Sequence, residues 1–131
     1  MEPARIPKLI PPRRILVVDD EPGVADMIRM IMVMWGHEVE IAGSGARALA
    51  LFEVGKYDLV ATDFTMPGMD GLELARIIKE RSPGQPIIMI TAYAGLITDH
   101  RRSNVSHVLG KPFQVEELAA ILDKVFTPAP V

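Results

Sequence analysis

Four short apolar runs, each followed by a residue that can handle charge, constrain this chain more than any other feature. Ile15-Leu16-Val17-Val18 runs into Asp19-Asp20, and Leu59-Val60-Ala61-Thr62 runs into Asp63. Ile87 to Ile90 ends at Thr91, and Val108-Leu109-Gly110 precedes Lys111. Near-continuous Val, Ile and Leu runs suit strands buried on both faces, as in a parallel sheet covered by helices. In an open parallel sheet the crevice beyond the carboxyl ends of the strands is where ligands bind. Three carboxylates, a hydroxyl and an ammonium are therefore expected at one edge, a setting for a hard cation and a phosphoryl group.

The intervening segments fit helices. Pro22 suits a first helical position, and a helix is expected to run to Trp35 before Gly36 stops it. A short strand at Val39 to Ala42 precedes a helix from Ala46 to Val54, with Gly55 past its end. Tyr57 to Thr62 reads as the third strand, and Thr65 to Gly71 as a turn-rich loop. Leu72 to Arg81 carries apolar residues at helical spacing, and Ser82-Pro83-Gly84 ends it. Ile87 to Thr91 is a fourth strand and His107 to Leu109 a fifth. Leu96 to Asn104 is at best a short helix, and Val115 to Phe126 is amphipathic through Leu118, Ile121, Leu122 and Val125. Alternating strand and helix imply a parallel α/β sheet, and right-handed crossovers place all the strand tips on one edge.

A length of 131 residues suits one domain, here bounded at 14–126. Residues 1–13, rich in proline and basic side chains, read as a flexible leader, the alternative being a basic docking arm. Residues 127–131 read as a tail or the start of a linker. A net charge of −3 gives no case for nucleic-acid binding, and the absence of cysteine excludes disulfides and thiol chemistry. The most apolar stretch, Met27 to Trp35, is too short to span a bilayer and includes Arg29. A soluble, cytoplasmic protein without membrane partners is expected.

Taken singly, Asp19 could cap the following helix and Asp63 could form a turn. Together, the strand-tip residues suit a carboxylate that attacks phosphorus beside a cation. Lys111 offers a point charge and Thr91 a hydroxyl to phosphoryl oxygens.

Val17-Val18-Asp19-Asp20-Glu21, Asp63 with Met66-Pro67-Gly68-Met69-Asp70-Gly71, Thr91-Ala92-Tyr93 and Lys111-Pro112-Phe113 carry a resemblance. In that order they resemble the receiver domain of two-component response regulators, over about Arg14 to Phe126. The resemblance implies a doubly wound, flavodoxin-like (βα)5 fold with five parallel strands in the order 2-1-3-4-5. It implies that Asp63 is the phosphoacceptor, charged by a histidine kinase or a histidine phosphotransfer protein. Asp20, Asp63 and the backbone carbonyl of Thr65 would bind Mg2+, or Mn2+ in its place, with Asp19 assisting through water. Thr91, Ala92 and Lys111 would hold the phosphoryl group and Tyr93 would be the aromatic switch. The Lys111–Pro112 bond is expected to be cis. The same resemblance implies a signal-relay switch that dephosphorylates itself rather than a turnover enzyme, acting on an unknown downstream effector. A phosphorylation-dependent dimer is compatible with it, and a single-domain regulator is the expected form.

The segment between Tyr93 and Lys111 is about two residues short of the usual pattern, so a shortened or irregular fourth helix is expected. Asn104-Val105 stands where Gly-Ala is usual. Two rival readings are a phosphorylation-independent pseudo-receiver and a Mg2+-dependent phosphohydrolase of the haloacid dehalogenase type. Against the latter, such enzymes resemble one another in an Asp-x-Asp-x-Thr motif, and Asp63-Phe64-Thr65 has a threonine where its second acid would stand. His37, His100 and His107 read as surface or loop residues. Met27 and Met32 fit the core stripe of the first helix. Met30, Met34 and Trp35 form either a covered patch or a face that docks a partner.

Overall fold

The computed structural model describes residues 11–97 and 104–127. Five strands form one sheet: β1 (Arg14–Val18), β2 (Glu38–Ala42), β3 (Leu59–Thr62), β4 (Ile87–Thr91) and β5 (His107–Gly110). Their order is β2-β1-β3-β4-β5 and every pairing is parallel. The register sets Val18 beside Thr62 and Thr91 beside Gly110. Asp19, Asp63 and Lys111 therefore each follow a strand at the same edge of the sheet.

Alternation along the strands divides the core into two layers, because successive side chains point to opposite faces. Ile15 and Val17 of β1, with Leu59 and Ala61 of β3, pack against α1 (Pro22–Met34) and α4 (Val115–Phe126). Leu16, Val18 and Val60 pack on the other face with α2 (Gly45–Leu51) and α3 (Gly71–Arg81).

Local chemistry places the helix ends. Pro22 opens α1, where its missing N–H costs no bond, and Gly36 follows the helix at φ 93°. The Ser44 hydroxyl accepts from the Arg47 N–H at the start of α2, and the Asp70 carboxylate accepts from the Glu73 N–H at the start of α3.

Several expectations are corrected. The second helix ends at Leu51, not Val54: Phe52 turns into an extended conformation, is buried, and stacks on Tyr57. Val54 is left exposed. Tyr57 accordingly packs before β3, which starts at Leu59. Met27 is not on the core stripe of α1. Ala25, Ile28 and Met32 form that seam, and Met27 sits about 100° of helix rotation from Ile28, partly in solvent. His37 is buried, with its Nδ1 accepting the Arg13 N–H at 3.1 Å and its ring 5.9 Å from that of Phe126.

After β4 a single 3-10 turn, Ala94–Leu96, is the helical element among the described residues before β5. Most of the short helix expected at 96–104, with His100, lies outside the described residues. So do residues 1–10 of the leader and 128–131 of the tail.

Candidate functional site

The site is built from the tips of β1, β3, β4 and β5, at the place where the strand order reverses around β1 and β3. Asp19 and Asp63 are buried and Asp20 is the most open of the three acids. Each of the three offers one carboxylate oxygen, and these oxygens lie within 4.8 Å of one another. Lys111 reaches back from β5 and donates to both buried acids: Nζ is 2.8 Å from Asp19 Oδ2 and 3.1 Å from Asp63 Oδ2.

The remaining carboxylate oxygens hold the local backbone. Asp19 Oδ1 accepts the Glu21 N–H at 2.9 Å, fixing the entry to α1, where Glu21 rather than Asp19 is the capping residue. Asp63 Oδ1 accepts the Phe64 N–H at 2.7 Å. The turn-forming role and the site-forming role thus belong to different oxygens of the same side chain.

Burial alone would lower the Lys111 pKa. The hydrogen bond to Asp19 and the negative charges of Asp63 and Asp19 outweigh it, and the net shift is upward. Lys111 is therefore held as a cation between two carboxylates. The cluster still carries three negative charges against one positive, so a further cation is electrostatically favoured. Hard oxygen donors at this spacing fit Mg2+, which binds through one or two carboxylates and retains waters.

Thr91 is fully buried, and its Oγ1 accepts the Tyr93 N–H at 3.2 Å. Accepting that bond leaves the hydroxyl proton free to donate elsewhere. The Tyr93 side chain is half exposed, and Ala92 and Thr65 are exposed beside it and beside Asp63 respectively. The Lys111–Pro112 peptide is cis. Met30 and Met34 lie exposed on α1, whereas Trp35 is partly buried against the α1–α4 layer.

Gly71 has a structural role that sequence spacing did not assign. A Cβ at this position would collide with the Asp63 carbonyl oxygen, and the Gly71 N–H bonds the Phe64 carbonyl at 2.8 Å. Helix α3 thus begins in direct contact with the backbone of Asp63. In sequence Gly71 reads only as the last residue of a turn-rich loop, whereas in the structure it is the first residue of α3.

Comparison with known proteins agrees with this geometry. Residues 15–123 match the sequence profile of the response regulator receiver domain. The transcriptional regulatory protein TcrA of Mycobacterium tuberculosis is 33% identical over 90% of this chain and 47% of its own length. The DNA-binding response regulator MtrA of Mycolicibacterium smegmatis is 34% identical over 82% of this chain and 48% of its own. The chain thus spans about half the length of the curated relatives it matches.

Among solved structures, the response regulator TrrA of Thermotoga maritima, crystallised with Mg2+ and BeF, superposes with a TM-score of 0.81. It is 36% identical, covering 86% of this chain and 98% of that one. The chemotaxis protein CheY4 of Vibrio cholerae gives a TM-score of 0.80 at 29% identity, over 87% and 98% of the two chains. Among the described residues no helix is long and apolar enough to cross a membrane. With its sequence profile, strand order and acidic edge in agreement, the chain belongs to the receiver domain family of two-component response regulators.

Proposed function

We propose that Asp63 accepts a phosphoryl group from the phosphohistidine of a histidine kinase or a histidine phosphotransfer protein, and that the phosphoaspartate switches partner binding. The observation that carries this reading is the Asp63 carboxylate, held by Lys111 inside a pocket of two further acids. An Asp63 oxygen attacks phosphorus and the P–N bond to the donor imidazole breaks. The electron pair leaves with that nitrogen, which takes up a proton.

Asp20, Asp63 and the Thr65 carbonyl are the groups that would hold Mg2+ or Mn2+, with Asp19 acting through water. When bound, the cation offsets the repulsion between the carboxylate and the incoming phosphoryl oxygens. Lys111 then has a phosphoryl oxygen as a third partner. The Thr91 hydroxyl would donate to another, with the amide of Ala92 assisting. The draw on Thr91 loosens its bond to the Tyr93 amide, which couples the acid to the exposed Tyr93 ring. The chain is in this reading a relay that loses its phosphoryl group to water, and not a turnover enzyme.

Helix α1 starts immediately after Asp20, so a helical bundle seated on it can present a histidine to Asp63. Met30 and Met34, the most exposed apolar residues of α1, are offered to such a partner. Trp35, partly covered by the chain's own core, contributes only its remaining surface.

The test is labelling by acetyl phosphate, followed by transfer from a panel of purified autophosphorylated histidine kinases. Incorporation that requires Mg2+ and disappears in Asp63→Asn is expected. Undiminished labelling of that variant would exclude Asp63 as the acceptor.

A further inference from the structure

Three methionines on α1, Met27, Met30 and Met34, are spaced i, i+3 and i+7 and form one stripe along the helix surface. They are 44%, 60% and 66% exposed. Met32, on the opposite face, is buried, as are Met66 and Met89. The chain has no cysteine, so no thiol competes for a soft oxidant, and among the described residues the exposed thioethers are the most accessible sulfur nucleophiles.

We propose that Met30 and Met34, with Met27 as a slower third site, form a reversible oxidation site for peroxides that controls docking on α1. The docking half rests on the function proposed above. In the reaction a thioether lone pair attacks one peroxide oxygen and an S–O bond forms as the O–O bond breaks. The other oxygen leaves as hydroxide and takes the proton of the new S–OH group to become water, leaving the sulfoxide, so sulfur is oxidised by two electrons and the peroxide is reduced. The product sulfoxide is polar and accepts hydrogen bonds, which removes the gain from burying the side chain against an apolar partner. Methionine sulfoxide reductases reverse the change, using a thiol reductant. Because the stripe lies outside the carboxylate cluster, oxidation cuts partner transfer while leaving the phosphoacceptor chemistry in place.

The folded full chain is treated with hydrogen peroxide and each methionine is followed by peptide mass spectrometry. Met30 and Met34 should oxidise at least tenfold faster than Met32 and Met89. The oxidised wild type should accept phosphate at least tenfold more slowly from the kinase chosen by panel screening, yet at its former rate from acetyl phosphate. Reductase treatment should restore kinase transfer. A Met30→Leu, Met34→Leu double variant should lose no more than twofold of its own untreated rate on the same peroxide exposure. Equal oxidation of surface and buried methionines would overturn the proposal. So would unchanged kinase transfer after oxidation in a protein whose Met34→Asp variant is slowed. If Met34→Asp is not slowed either, the docking reading itself has failed and the control by oxidation falls with it.

Discussion

The arrangement of charge around Asp63 predicts that its carboxylate destabilises the metal-free protein. At an effective dielectric constant near 20, the attraction between Lys111 Nζ and Asp63 Oδ2 at 3.1 Å is about 5 kcal/mol. Asp63 also faces two like charges, with oxygens no more than 4.8 Å apart, each costing about 3.5 kcal/mol on the same scale. Repulsion therefore exceeds attraction, and solvent near the more open Asp20 trims the difference to roughly 1–2 kcal/mol. Asp63→Asn removes the charge and keeps an oxygen for the Phe64 N–H, but it turns an NH2 toward Lys111 Nζ, which must then rely on Asp19, so in EDTA the variant should be more stable by at most that amount. Mg2+ reverses the order. A metal that binds only the folded state adds about 2.7 kcal/mol at a concentration 100 times its Kd, and the variant has lost one of the three carboxylates that could hold it.

Urea unfolding followed by circular dichroism, with EDTA and with excess Mg2+, measures both differences. The wild type should unfold first in EDTA and last in Mg2+. A variant less stable than the wild type in EDTA, or one that gains as much from Mg2+, would refute the reasoning.

Three other outcomes are expected. Gly71→Ala drives a methyl group into the Asp63 carbonyl and should cost about 1–3 kcal/mol, read as a lower urea midpoint. His37 has a pKa lowered by burial and by the Arg13 charge, against a smaller opposing effect of Asp58. Its neutral form is the folded one, so its contribution is fully present above about pH 6.5 and is lost as the pH falls from there toward the folded-state value. The wild type should lose more stability than His37→Gln between pH 7.5 and pH 5.5 in urea titrations. Met34→Asp should lower the ratio of kinase-driven to acetyl-phosphate-driven phosphorylation at least tenfold, measured by radiolabel incorporation.

The strand tips were legible in the sequence because Asp19, Asp63, Thr91 and Lys111 each interrupt or follow an apolar run, and a parallel sheet has only one edge to bring them to. The end of α2 was not, because helical spacing continues to Val54, whereas Phe52 gains more by leaving the helix to bury its ring against Tyr57. His37 was misplaced on the surface because its partners are a backbone N–H 24 residues earlier and an aromatic ring near the far end of the chain. Met27 was misassigned because α1 is apolar on more than one side, which blurs the seam set by Ala25, Ile28 and Met32. Gly71 carried no visible reason in sequence, since the atom that excludes a side chain there is the carbonyl of Asp63, met only through space.

The Arg13 guanidinium lies 5.1 Å from the centre of the Phe126 ring, so the first strand enters and the last helix leaves at neighbouring points. Both points lie at the edge of the sheet opposite the carboxylates. Neighbouring ends make this domain a candidate for circular permutation, which succeeds where termini meet and the new break falls in an exposed turn. A break between Val54 and Gly55 meets that condition, because Val54 is exposed and the turn contributes no strand pairing. A permuted chain joined across residues 13 and 126 and opened there should retain the sheet order and the metal-dependent labelling of Asp63. The topology would then be shown to depend on the packing of the two layers and not on where the polypeptide starts.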